Sequence, residues 1–119
     1  MLTVKHHNPT GLGRILRDEN GVVVGIIEEK AATPEQKKIR EVNTSCYCFR
    51  PYFLWKNIPK IKRSASGEYY LTDLVALAAT NHEKVVAVEA NPEEWWGVNT
   101  PEELEEADRQ MKTRLAHRT

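Results

Sequence analysis

The sequence predicts a mixed α/β or α+β fold in which helices flank a sheet. Three observations predict it. In RILRDENGVVVGIIEEK, two β-prone runs flank Asn20-Gly21, a hairpin signal. Thr33, Pro34 and Gln36 form a capping box that starts a helix after that hairpin. Thr100-Pro101-Glu102-Glu103 is a second capping box and opens a long amphipathic run. Strand and helix signals thus mix along one short chain.

The elements follow in order. Residues 2–5, LTVK, alternate as a short strand, and HHNPTGLG is turn-rich. A β-hairpin is expected at about 13–29, with Asn20 and Gly21 both accepting positive φ. Its second strand, VVVGIIE, is almost wholly apolar, which predicts burial on both faces. A helix of about two turns begins at Pro34, and residues 41–49, EVNTSCYCF, return to strand. PYFLWKNIPKI suits a short helix packed on the core, followed by the exposed loop KRSAS. Beyond SGEYYLTD, residues Leu74, Val75, Leu77, Ala78 and Ala79 make an apolar helix. Thr72 is the expected cap and Asp73 complements the dipole. EKVVAVEA is a strand and NPEEWWGVN a loop. The C-terminal surface helix carries an apolar stripe of Leu104, Ala107, Met111 and Leu115, with Asp108 and Lys112 paired on its polar side.

The totals narrow the function classes. The 119 residues suit one domain with a real core. Seventeen basic residues balance 17 acidic ones, so no long-range field draws in nucleic acid or an anionic membrane. No apolar run approaches the roughly 20 residues of a membrane helix. MLTVKHHNPT lacks the apolar core of a secretion signal, so a cytoplasmic protein is the expectation. Cys46 and Cys48 are two residues apart, where a disulfide is strained. They are expected reduced, at least one in the core.

Several residues carry more chemistry than their elements require. Gly11-Leu12-Gly13 precedes a strand rather than a helix, which rules out a dinucleotide loop. It leaves a bland turn or a backbone that a ligand can approach closely. Glu28 and Glu29 end a buried strand. Either the strand end is exposed, or an inward carboxylate is paired and able to accept hydrogen bonds from sugar hydroxyls. Asn43 lies in a strand, where an amide usually bonds a loop or a ligand. Asn99 is either helix-start chemistry or an oxygen offered to a hard cation. His6 and His7 point to opposite faces of a strand and do not suit one metal ion. Trp95-Trp96 suggests a pocket wall or partner surface.

NPTGLGRILRDENGVVVGIIEEK, TPEQKKIREVNT, SGEYYLTDLVALA and GVNT, in that order, resemble the sugar-nucleotidyltransferases, most nearly the uridyltransferase domain of the bifunctional N-acetylglucosamine-1-phosphate uridyltransferase/acetyltransferases. The resemblance implies an α/β fold: a partial nucleotidyltransferase, Rossmann-like, with a mixed sheet and flanking helices. It implies that UTP and N-acetylglucosamine-1-phosphate give UDP-N-acetylglucosamine and pyrophosphate, with Mg²⁺ neutralising the meeting anions. By motif, Gly13 would offer its N–H to the sugar, Glu28 and Asn43 would bond the amino-sugar, and Tyr70 and Thr72 would line the pocket. Asn99 would be a Mg²⁺ ligand.

The family's glycine-rich triphosphate loop has no match here, so residues 1–119 resemble the second, sugar-binding half of the catalytic domain, as a single domain. Ser45 stands where the family usually has glycine, and Leu12 where an aromatic is common. Two readings follow. The chain is the sugar-binding part of the enzyme, without a catalytic residue of its own, or it is a non-catalytic small-molecule-binding or assembly module. The expected partners are a sugar phosphate or nucleotide sugar, and a homo-oligomer or companion chain that completes the sheet. Trp55, Trp95 and Trp96 are the candidate anchors for such an interface.

Overall fold

A computed structural model describes residues 1–116. Its sheet has the order β3-β2-β4-β1-β5, with β1 at Leu2–Lys5, β2 at Arg14–Arg17, β3 at Val23–Ile27, β4 at Glu41–Asn43 and β5 at Val88–Glu89. The helices are α1 (Pro34–Lys37), α2 (Pro51–Asn57), α3 (Asp73–Thr80) and α4 (Pro101–Ala116). β1 pairs antiparallel with β4 and parallel with β5; β2 pairs antiparallel with both β3 and β4. The sheet is therefore mixed and flanked by helices, an α/β architecture as the sequence predicts.

The core forms where α3 lies over the hairpin. Ile15, Val23 and Ile26 of the hairpin meet Val75 of α3, and Met1, Tyr47 and Val85 close the cluster. In β1, Thr3 and Val4 are both fully buried, so both faces of that strand are covered. Burial falls toward the edges. Val24 is 38% exposed and Val22 50%, because β3 is an edge strand. Its apolar run is therefore covered on both faces only at Gly25 and Ile26 and opens at Val22 and Val24.

The hairpin turn also differs from expectation. Gly21 alone takes a left-handed φ, at 78°; Asn20 does not. Asp18 organises the loop instead. Its Oδ1 accepts from the N–H groups of Asn20 (2.9 Å) and Val22 (2.8 Å), and its carbonyl accepts from Gly21 N–H at 3.0 Å. That satisfies the loop with one left-handed residue.

The two capping boxes form as read. Thr33 accepts from Gln36 N–H at 3.2 Å and Gln36 Oε1 accepts from Thr33 N–H at 2.9 Å. Thr100 and Glu103 exchange the same pair of bonds, at 3.2 and 3.0 Å. Lys112 reaches Asp108 at 2.6 Å.

Four expectations are corrected. The strand predicted over 41–49 ends at Asn43, because Ser45 takes φ 60° and turns the chain out of the sheet. Both cysteines are exposed, and neither is in the core. α2 buries only Asn57. The apolar stripe of α4 is mostly exposed, at Leu104, Met111 and Leu115, and only its Ala107 joins Glu106, Gln110 and Arg114 on the half-buried side.

Candidate functional site

The site begins at the base of the hairpin. Asn43 N–H donates to Gly13 O at 2.9 Å, which ties β4 to the start of β2. A Cβ on Gly13 would stand 3.1 Å from Ile26 Cγ2 and 3.3 Å from Glu28 Oε2, so the glycine lets the Glu28 carboxylate lie against the backbone. Glu28 Oε1 accepts from the Thr72 hydroxyl at 3.2 Å.

Thr72 stands at the N-cap position of α3 but makes no side-chain capping bond there. Its backbone is already helical. The hydroxyl is spent across 44 residues of chain on a partly buried carboxylate. A partly buried carboxylate oxygen without a donor is costly, and this hydroxyl supplies one.

Asn43 is held by its oxygen. Oδ1 accepts from Ser45 N–H at 3.0 Å and from Tyr47 Oη–H at 2.6 Å. Burial pushes the Tyr47 phenol up to about 12, and the negative charge of Glu28 adds to the shift, so this hydroxyl stays a donor at any physiological pH.

The adjacent Glu28 and Glu29 divide between partners. Arg14 is buried, donates to Glu29 Oε2 at 2.6 Å, and also donates to Leu12 O. The hydrogen bond and charge of that guanidinium hold the Glu29 carboxyl below the usual carboxylate value. Arg14 thereby pins the Gly11-Leu12-Gly13 turn to the chain after β3. The loop of Trp95 closes the other side. Trp95 Nε1 donates to Thr44 O at 3.3 Å, its ring meets His6 edge-on at 6.1 Å, and a Cβ on Gly97 would stand 3.5 Å from Leu12.

Gly13, Glu28, Asn43 and Thr72 thus form one connected group. Tyr70 and Asn99 take no part in those contacts. The Tyr70 hydroxyl donates to Glu68 at 2.8 Å and meets Ser66 at 3.0 Å, within its own loop. The backbone N–H of Asn99 donates to Glu103 Oε2 at 2.6 Å, as part of the α4 cap. Sequence reasoning missed Arg14 and Tyr47. Arg14 was detectable as a charge at the start of a strand, directly before the apolar pair Ile15-Leu16. Tyr47 follows Asn43 by four residues, but the chain leaves the strand at Ser45, so no strand pattern signals their contact.

Mg²⁺ does not fit the donors of this chain by themselves. Among the described residues no three His, Cys, Asp or Glu side chains gather as a metal site, and Asn99 offers a single neutral amide. Two hollows lie apart from most of the group. One of 980 Å³ runs between His6, His7, Trp95 and Arg114; one of 330 Å³ is bounded by Tyr47, Phe49, Phe53 and Val75.

Comparison with known proteins matches this arrangement to a class. The nucleotidyl transferase family profile covers residues 1–114, and the chain belongs to that family. The bifunctional protein GlmU of Clostridium novyi (strain NT) is 44% identical over 119 residues, 99% of this chain and 26% of its own length. That of Nitrosococcus oceani (strain ATCC 19707 / BCRC 17464 / JCM 30415 / NCIMB 11848 / C-107) is 46% identical over 120 residues, again 99% and 26%. That of Brevibacillus brevis (strain 47 / JCM 6285 / NBRC 100599) is 44% identical over 117 residues, 97% and 25%. The chain spans about a quarter of the length of these relatives.

Proposed function

We propose that the chain forms the sugar-binding part of a nucleotidyltransferase that makes UDP-N-acetylglucosamine and pyrophosphate from UTP and N-acetylglucosamine-1-phosphate. The observation that carries the reading is the contact chain Gly13–Glu28–Thr72 with Asn43 beside it, in a chain 44% identical to a GlmU. Glu28 keeps Oε2 as an acceptor for a sugar hydroxyl, Asn43 keeps Nδ2 as a donor, and Gly13 lets the ligand approach the backbone. Thr72 belongs to the same wall by aiming Glu28, and Tyr70 reaches the ligand only on giving up its bonds to Glu68 and Ser66.

The triphosphate-gripping loop belongs to other polypeptide in this reading, so the 119 residues alone bind without turning over. Polypeptide outside these 119 residues completes the sheet in this reading. Asn99 supplies one oxygen to Mg²⁺ and the remaining ligands lie outside this chain; the ion would neutralise phosphate charge. A second reading, an assembly module, is favoured by Trp55, which is 70% exposed on α2 beside the exposed Tyr52.

Titration with UDP-N-acetylglucosamine and Mg²⁺ tests the choice. Binding by the wild type that falls at least tenfold in both Glu28→Ala and Asn43→Ala supports the sugar site, each variant losing one or more hydrogen bonds to ligand. No binding by the wild type favours the assembly module, which light scattering then reports as a dimer dissolved by Trp55→Ala.

A further inference from the structure

We propose that Tyr47 is a positioning residue that sets which hydrogen-bonding group Asn43 shows to a ligand, and so makes this corner select an acceptor. The inference rests on the sugar-site reading above for its ligand, but its geometry stands apart.

An amide side chain offers an oxygen acceptor on one side and an NH₂ donor on the other, and a half-turn exchanges them. At Asn43 the oxygen has no capacity left. Its two lone pairs are taken by the Ser45 N–H and the Tyr47 hydroxyl. The Ser45 bond is an Asx turn, closed from two residues on at 3.0 Å. Tyr47 is held in turn: its ring stacks on Phe49 with centroids 5.6 Å apart, and Phe49 on Phe53 at 6.2 Å. Turning the amide over would set NH₂ against the Ser45 N–H, which can only donate, and leave the Tyr47 hydroxyl proton without its acceptor. Nδ2 is left without a partner among the described residues, and it is not among the side-chain atoms sealed from the surface. The corner therefore presents a fixed donor beside the Glu28 carboxylate. A sugar whose substituent there is an acceptor, such as an acetamido carbonyl, fits it. A donor-only ammonium does not.

The test compares N-acetylglucosamine-1-phosphate with glucosamine-1-phosphate on the 119-residue protein by calorimetry. Glu28 acts on wild type and variants alike and drops out of the comparison. The wild type prefers the acetamido sugar. Tyr47→Phe, which deletes one oxygen and keeps the ring stack, cuts that preference about tenfold, the scale of one hydrogen bond. Asn43→Asp, which replaces the donor by an acceptor, reverses it. A Tyr47→Phe variant that weakens both sugars equally shows a merely structural role and overturns the proposal.

Amide hydrogen exchange gives a ligand-free readout. Exchange at the Ser45 N–H speeds up about tenfold in Tyr47→Phe as the amide begins to turn over. Unchanged exchange overturns the lock whether or not sugars bind. Exchange that speeds up in a protein binding neither sugar supports the lock and sinks the sugar reading, so the two failures are told apart.

Discussion

At the scale of single residues, chemistry at this site is decided by what each polar atom has already been given to do. Thr72 is the clearest case. Its sequence context suits a helix cap, yet its hydroxyl goes to Glu28. Thr72→Val keeps the shape and removes the donor. It is expected to cost about 1–3 kcal/mol by leaving a partly buried carboxylate oxygen unpaired, read by urea unfolding; an unchanged midpoint would mean that Glu28 is satisfied by water. Ser45 shows the opposite sign. A serine at φ 60° carries the left-handed penalty that glycine lacks. Ser45→Gly is expected to stabilise the fold by about 0.5–1 kcal/mol, since strain relief outweighs the added freedom of the unfolded chain.

Glu28, Asn43 and Gly13 stood out in the sequence because each is a poor fit to its own strand or turn. Tyr47 did not, because a tyrosine in a strand fits too well to raise a question.

At the scale of elements, the legible features are those closed by near neighbours in the chain. Both capping boxes span three residues, and both form. The apolar stripe of α4 was legible as a pattern but not as a contact. α4 buries none of its residues and rests on its cap, its ion pairs and a half-buried side. Thr100→Ala is therefore expected to cost about 1 kcal/mol and to lower helical circular dichroism. Amide exchange in α4 should outpace that of β2 and β3, whose Ile15, Val23 and Ile26 lie in the core. The shortening of the 41–49 strand has a local cause that propensity does not register: one left-handed residue ends the ladder, whatever its neighbours prefer.

At the scale of the whole molecule, stability depends on a small core and on carboxylates held by arginines. Leu74 is fully buried while Leu71 is 46% exposed. Leu74→Ala should cost about 2–5 kcal/mol, and Leu71→Ala well under 1. Arg17 grips Glu41 with two bonds, at 2.8 and 2.7 Å, across β2 and β4. That grip holds the Glu41 carboxyl below its usual value near 4.5. The unfolded chain thus takes up the proton first as pH falls. The contribution is present above the ordinary value and is lost as pH drops through the folded one. Unfolding midpoints measured between about pH 6 and 3 should fall on the acid side, and Glu41→Gln should flatten the curve. An equally steep curve in the variant would assign the acid sensitivity to other carboxylates.

The sequence by itself determined the mixed α/β class, the hairpin, both capped helices and the family, because each rests on residues close in the chain or on motifs read in order. Tertiary structure alone decided the strand order β3-β2-β4-β1-β5, which residues of each apolar run are covered, and the partners of Glu28, Glu29 and Asn43. The physical reason is competition. A hydroxyl or an amide oxygen has a fixed capacity, several groups along the chain can fill it, and only folding settles which of them comes within reach.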